Sequence, residues 1–164
     1  MKVFWNVVLG TLLVTGGLLL LTASVGAAPQ LPLADLYEPN DTPSQAYGPL
    51  VEGQIYAAYI WNESDVSDYY YFVFANDGNA SISLSHIPDH CDYDLYVYYF
   101  DGDVYQPVAR SVQNGNVDES ATFGAVAGRT YYVQVSRYKG FDDLQPYHLV
   151  VERQHQVYLP LAIG

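Results

Sequence analysis

This chain of 164 residues has a single cysteine, Cys91, a single methionine and only six lysines and arginines. One cysteine excludes an intrachain disulfide, the covalent staple that small exported domains often use. Six basic residues against 18 acidic ones give a formal charge of −12. That balance argues against nucleic acid and anionic membrane surfaces as partners and favours cations. No G-x-S-x-G, H-E-x-x-H or P-loop pattern occurs, so the common local signatures of serine hydrolases, zinc proteases and nucleotide hydrolases are missing. Past the N-terminal apolar run there is no convincing helical period, second domain, tandem repeat or long low-complexity linker.

The chain starts MKVFWNVVLGTLLVTGGLLLLTASVGAAPQ. Lys2 is a minimal positive region, Val3 to Leu21 is mostly apolar, and Val25-Gly26-Ala27 offers small residues at a cleavage site. The stretch predicts a secretory signal peptide over 1–27. An uncleaved anchor is the alternative, because the apolar run nearly suffices to span a bilayer. Cleavage would leave residues 28–164 with 5 basic against 18 acidic residues, or −13, since Lys2 is the only charge removed. That length buries a core without staples. A spacer over 28–35, a folded domain over 36–153 and a tail over 154–164 are expected.

Short apolar runs bounded by turn residues follow. Gln54 to Trp61, Asp68 to Ala75, Ala80 to Ile87, Asp92 to Phe100, Val108 to Gln113, Glu119 to Val126, Thr130 to Tyr138 and Pro146 to Arg153 each read as a strand. Gln156 to Ile163 would add one more. Asn76-Asp77-Gly78-Asn79 predicts one tight hairpin and Ala127-Gly128-Arg129 a second. In Asp92 to Phe100, Tyr93, Leu95 and Val97 oppose Asp94, Tyr96 and Tyr98, as in an antiparallel sheet with one buried face. Asp68 to Ala75 is apolar or aromatic throughout and predicts a strand covered on both faces. About eight strands at roughly ten-residue spacing, with no helix, predict an all-β antiparallel sandwich. Seventeen tyrosines fit half-wet sheet faces, and a ring-lined binding surface equally.

The segments YEPNDTPSQA, SDVSDYYYF (64–72), CDYDLYVYYF (91–100), GRTYYVQVSRYKG (128–140) and PYHLVVE (146–152) occur in series. In this order and spacing the chain resembles the bacterial pre-peptidase C-terminal domain over about residues 35–153. The resemblance implies a secreted, jelly-roll-like β-sandwich that is usually an accessory to extracellular proteases. It also implies kinship with the collagen-binding domains of clostridial collagenases. In those relatives calcium sits between an EPND-type segment and a D-x-x-D pair at a strand start, and aromatic residues on a sheet surface contact the ligand.

The residue chemistry can be set beside that resemblance. Glu38, Asn40 and Asp41 present oxygens on one short segment, and Asp65 and Asp68 lie in the turn entering the DYYYF strand. Together they carry four negative charges with no Lys or Arg near in sequence. Calcium takes six to eight oxygens, several of them carboxylates. If the two segments meet, Ca2+ would clip the opening stretch onto the sandwich, ordering it by metal rather than burial. One ion is expected more readily than two, because position 36 is Leu36. From the residues alone an acidic loop with an Asn-Asp turn is the stronger reading, because no compact calcium loop appears.

Other clusters are weaker. His86, His90 and Cys91 suit zinc by type, but no fourth ligand has the right spacing and Pro88 breaks any helix that would align them. Asp92 and Asp94 share a strand face, and with Glu119 they are the acids on which a small hydrolase would have to rest. Tyr96, Tyr98, Tyr132 and Tyr138 are candidates for a ligand-binding face, with sheet-edge packing as the blander reading. The tail HQVYLPLAIG reads as an edge strand or a short recognition tail.

The expected protein is therefore a secreted, extracellular or cell-surface monomer without catalysis. Its partners would be an extracellular protein or polysaccharide, with Ca2+ as cofactor. An accessory acting in trans on an exported peptidase is the second reading and a hydrolase the third. No nucleic-acid partner and no membrane span after signal cleavage are expected.

Overall fold

A computed structural model describes residues 35–154. The expected signal peptide, residues 28–34 of the spacer, and the tail past residue 154 with its ninth strand lie outside the described residues. No helix among the described residues is long and apolar enough to cross a membrane.

Eight strands are present: β1 Tyr56–Ala58, β2 Ser67–Val73, β3 Gly78–Ser85, β4 Asp92–Phe100, β5 Tyr105–Ser111, β6 Glu119–Ala125, β7 Thr130–Lys139 and β8 Tyr147–Arg153. A 3-10 turn, Pro43–Gln45, precedes them. They form two four-stranded sheets of order β1-β8-β3-β6 and β2-β7-β4-β5, and every strand pair is antiparallel. The order is that of a jelly roll, so the expected all-β sandwich is present.

Both predicted hairpins are corrected by the pairing. β2 lies in one sheet and β3 in the other, so the turn around Asp77-Gly78 crosses between sheets. The same holds for β6, Gly128 and β7. Among consecutive strands only β4 and β5 pair directly. The two crossing turns lie side by side: Gly128 N donates to Phe74 O at 2.9 Å and Ala127 N to Asp77 Oδ1 at 2.7 Å. Turn residues specify a chain reversal, and the same reversal serves a hairpin or a step between layers.

Alternation sets the core. Tyr70, Phe72, Tyr93, Leu95, Val97, Tyr131, Val133 and Val135 point inward from one sheet. Ala80, Ile82, Leu84, Ala121, Tyr147, Leu149 and Val151 meet them from the other. β2 was expected to be covered on both faces. It alternates instead, with Tyr69 and Tyr71 half-buried outside and Tyr70 and Phe72 fully buried inside. Its outer face and edge are partly covered by the segment before β1. Tyr47 N donates to Tyr69 O at 2.9 Å, Tyr71 N to Tyr47 O at 2.9 Å, Tyr69 N to Asn40 O at 2.7 Å and Leu50 N to Tyr71 O at 2.8 Å. Tyr37 packs against Tyr47, Tyr56 and Tyr70, with ring centroids 4.8, 5.7 and 6.1 Å apart. This strap, residues 35–50, is thus tied to the edge of β2 by backbone pairing and ring contact, an anchorage that the reading of metal in place of burial left out.

Two glycines at equal backbone angles offer a test of local crowding. Gly128 and Gly140 both have φ +71; a Cβ on Gly128 meets nothing within 4 Å, whereas one on Gly140 falls 2.7 Å from His90 O. Gly128→Ala is expected to cost about 1 kcal/mol, the left-handed strain alone. Gly140→Ala should cost about 3 kcal/mol, with the clash added. Equal losses in denaturant titrations would show that the 86–91 loop yields freely.

Candidate functional site

The strap and the entry to β2 bring three carboxylates together, with the buried Asn40 close to Glu38 in the chain. Glu38, Asp65 and Asp68 each place a carboxyl oxygen within 4.8 Å of the others. Asp68 and Asn40 are 0% exposed and Asp65 is 3% exposed. Asn40 stands beside the Tyr70 hydroxyl. Each carboxylate has one oxygen committed to the fold. Glu38 Oε2 accepts Asn40 N at 3.0 Å, Asp65 Oδ2 accepts Trp61 N at 2.9 Å, and Asp68 Oδ2 accepts the Tyr147 hydroxyl. The other oxygens, Glu38 Oε1, Asp65 Oδ1, Asp68 Oδ1 and Asn40 Oδ1, are buried without a hydrogen-bond partner. Buried polar atoms are rarely left so.

The local sequence makes this arrangement. Asn62 Oδ1 takes Ser64 N at 2.6 Å and Asp65 N at 3.1 Å, an Asx turn that reverses the chain so that Asp65 faces inward before β2 begins. Asp68 is the second residue of β2 and points inward with Tyr70. Tyr147 joins them from the other sheet, its hydroxyl 2.7 Å from that of Tyr70. Because Tyr147 donates to Asp68, the Tyr70 hydroxyl donates to Tyr147.

The electrostatics follow from burial without a counter-charge. Desolvation, countered in part by the Trp61 N–H and reinforced by Glu38, pushes Asp65 up to about 6. Desolvation and then the Asp65 charge raise Asp68 well above the ordinary carboxylate range. Desolvation also raises Glu38. The ion pairs among the described residues, His90–Asp142 at 3.6 Å and Arg153–Glu52 at 3.0 Å, involve none of these acids.

Asp41 stands apart from the inner group. It is exposed and lines the mouth of a hollow with Glu38, Trp61, Asn62 and Asp65. Asp35, absent from the expected set, takes part: its carboxylate accepts Tyr37 N at 2.9 Å and Tyr59 N at 2.8 Å, and its charge raises both Asp65 and Asp68. The missed signal was its place three residues before Glu38, at the start of the strap rather than within the EPND run.

The tyrosine candidates divide. Tyr96, Tyr98 and Tyr132 share the outer face of the β2-β7-β4-β5 sheet, and Tyr98 pairs in register with Tyr132. Tyr96 and Tyr98 stack at 6.4 Å with rings 17° apart. Tyr138 is not with them. It is the extra residue where β7 slips against Asp92 and Tyr93, and it is 75% exposed. The face gains Tyr69, Tyr71 and Tyr105, which only strand pairing could have assigned.

The remaining clusters come apart. His90 bonds Phe141 O at 3.0 Å, His86 stacks on His148 at 4.1 Å, and Cys91 is buried beneath the Tyr93 hydroxyl. Asp94 accepts from Tyr96 at 3.2 Å on the outer face, whereas Glu119 is buried in the other sheet, accepting Gln113 N. The slip between Asp92 and Tyr93 removes the simple alternation that would pair Asp92 with Asp94.

With the geometry in hand, residues 66–137 match the family described as the bacterial pre-peptidase C-terminal domain. The matched span runs from β2 to near the end of β7. Among solved structures, the pre-peptidase C-terminal domain of a collagenase from Bacillus anthracis is similar in fold, with a TM-score of 0.50 and 24% sequence identity over 62% of this chain and 90% of that one. The first bears out the family resemblance read from the sequence over residues 66–137, and the second bears out the fold.

A carboxyl whose pKa is raised on folding binds its proton more tightly in the native state. Its stabilising protonation is complete below the unfolded value near 4 and is lost as pH rises through the folded value. Held at about 6 against 3.8, Asp65 alone should weaken the cation-free protein by on the order of 3 kcal/mol between pH 4 and pH 7. His148, lowered by burial and by His86, works weakly the other way. Melts in chelator are expected to rise from pH 7 to pH 5, and Asp65→Asn to flatten the rise. A midpoint that falls on acidification would contradict this account.

Proposed function

We propose that the protein is a secreted, non-catalytic β-sandwich module that binds an extracellular protein or polysaccharide, with Ca2+ clipping its N-terminal strap to the sheet. The observation that carries the cation is the set of four buried, unpartnered oxygens on Glu38, Asn40, Asp65 and Asp68. Three anionic oxygens and one amide oxygen suit a hard cation that takes only oxygen ligands, and the shortfall from six is what backbone carbonyls or water supply. The exposed Asp41 carboxylate lines the adjoining hollow. The cation would offset the charge repulsion that now acts alone, leaving the committed oxygens where they are.

The binding role draws on the tyrosine face. Rigid amphipathic rings give large contact area at small entropic cost. The family match adds association with peptidases, a setting in which such a module would work outside the cell.

Ca2+ near a hundredfold above its Kd should add about 2.7 kcal/mol to the folded state, raising the melting midpoint by about 10 °C, and chelator should reverse it. Asp68→Asn is expected to abolish the response while raising the chelated midpoint, because it removes a buried charge. An unchanged midpoint in the unsubstituted protein would refute the clip. Retention on an immobilised extracellular polymer, lost in Tyr96→Ala at an unaltered melt, is the expected result for the binding role.

A further inference from the structure

We propose that the hollow bounded by Pro43, Tyr69, Tyr98, Tyr105, Tyr132 and Gln134 is a subsite for one ring of an uncharged polysaccharide. This deepens, and rests on, the reading of the protein as a binding module. The hollow lies on the outer face of the β2-β7-β4-β5 sheet and has a volume of about 200 Å³. Tyr105 and Tyr132 meet at 86° with centroids 5.1 Å apart, so one shows its face and the other its edge. Phe100 backs Tyr105 at 5.0 Å and Tyr71 backs Tyr132 at 6.4 Å. The rings are thereby held before any ligand arrives.

The polar groups are also oriented. The Tyr98 hydroxyl donates to Gln134 Oε1 at 3.2 Å, and Gln134 Nε2 donates to Ser67 Oγ at 3.0 Å. That fixes the amide and still leaves it a second N–H and a lone pair. A pyranose ring has apolar C–H faces and a rim of hydroxyls that both donate and accept. Tyrosine faces and tyrosine hydroxyls complement those two surfaces together.

Charge selects the class. No acid, lysine, arginine or histidine lines the hollow, in a chain whose formal charge is −12. An anionic polymer finds no cation there and a repelling field around it; a cationic one finds no carboxylate. An extended peptide would add to a sheet edge, but both edges of this sheet are compromised. The strap occupies the backbone of β2 at Tyr69 and Tyr71, and β5 carries Pro107 beside a register slip. A second hollow, lined by Tyr96, Tyr98, Pro107, Val108, Ala109 and Arg110, shares Tyr98 with the first. Tyr98 is then a ridge between the two hollows, and charge selects the class at the first alone, since the second carries Arg110.

The test is affinity electrophoresis of the protein through gels containing mannan, soluble β-1,3-glucan or hydroxyethyl cellulose, with polygalacturonate as the anionic arm and a proline-rich peptide titrated separately. At least one neutral glycan is expected to retard the protein. Tyr132→Ala and Tyr105→Ala should each weaken that retardation tenfold or more at an unchanged melting midpoint, and the exposed Tyr138→Ala should leave it intact. Should Tyr132→Ala not fold, Tyr105→Ala, at a solvent-facing position, decides. Retardation indifferent to the pocket substitutions, or by polygalacturonate alone, overturns the subsite. Binding of the peptide alone overturns it too but keeps the module, whereas no interaction with any probe removes both readings.

Discussion

Asp68 is a carboxylate with no exposure to water, and the arrangement of the strap, the sandwich and the acid cluster turns on it. Its inner oxygen takes the Tyr147 hydroxyl, which in turn receives that of Tyr70. This chain of hydroxyls links β2 in one sheet to β8 in the other. Its outer oxygen faces Glu38 and Asp65. An isolated buried charge is costly enough that it must be neutralised by a proton or a partner. The inner contact fixes where Asp68 stands, and the outer crowding then makes the seat of the strap depend on what neutralises it.

That dependence reaches the tyrosine face through the backbone. Asn40 donates its backbone N–H to Glu38 of the acid cluster, and its carbonyl accepts Tyr69 N at 2.7 Å. Three residues on, Pro43 begins the short turn that walls the hollow beside Tyr69. The segment that carries Glu38 and Asn40 is therefore the segment that completes the hollow. A change in the seat of residues 38–41 must be felt at Pro43, because the strap is bonded to β2 on both sides of it, at Asn40 and Tyr47.

The parts legible in the sequence are those governed by local period. Tyr93, Leu95 and Val97 alternate with Asp94, Tyr96 and Tyr98, and that alternation lies within β4. The spacing of Asp65 and Asp68 around the entry to β2 also survives, because three residues span one turn into a strand. Pairing is not local. The turns at Gly78 and Gly128 carry the residues of hairpins yet step between sheets, and Tyr69, Tyr71 and Tyr105 join Tyr132 only through neighbours far along the chain. Tyr138 has the right parity for the face and is lost from it by one extra residue. A slip of that kind leaves no mark in composition.

The abundance of tyrosine has a structural reason distinct from ligand binding. A phenylalanine would fill most of the same core volume, but it could not reach the rim. Tyr56 Oη accepts Val51 N at 2.7 Å, Tyr131 Oη accepts Val126 N at 2.9 Å, and the Tyr93 hydroxyl reaches Cys91 at 3.3 Å. Each ring is rooted in the core and ends on a connecting segment: the one before β1, the one after β6, or the one before β4. Each of the two bonds to a backbone N–H contributes about 1 kcal/mol net. A jelly roll sends nearly every connection from one sheet to the other, so its loops are many and its local hairpins few. In a domain with one cysteine, hydroxyls carried outward on rigid buried rings are the available means of fastening those loops. The same side chain turned to the outer face of β2-β7-β4-β5 bonds within the sheet instead, Tyr96 to Asp94 and Tyr98 to Gln134, and leaves its ring half-exposed rather than rooted in the core.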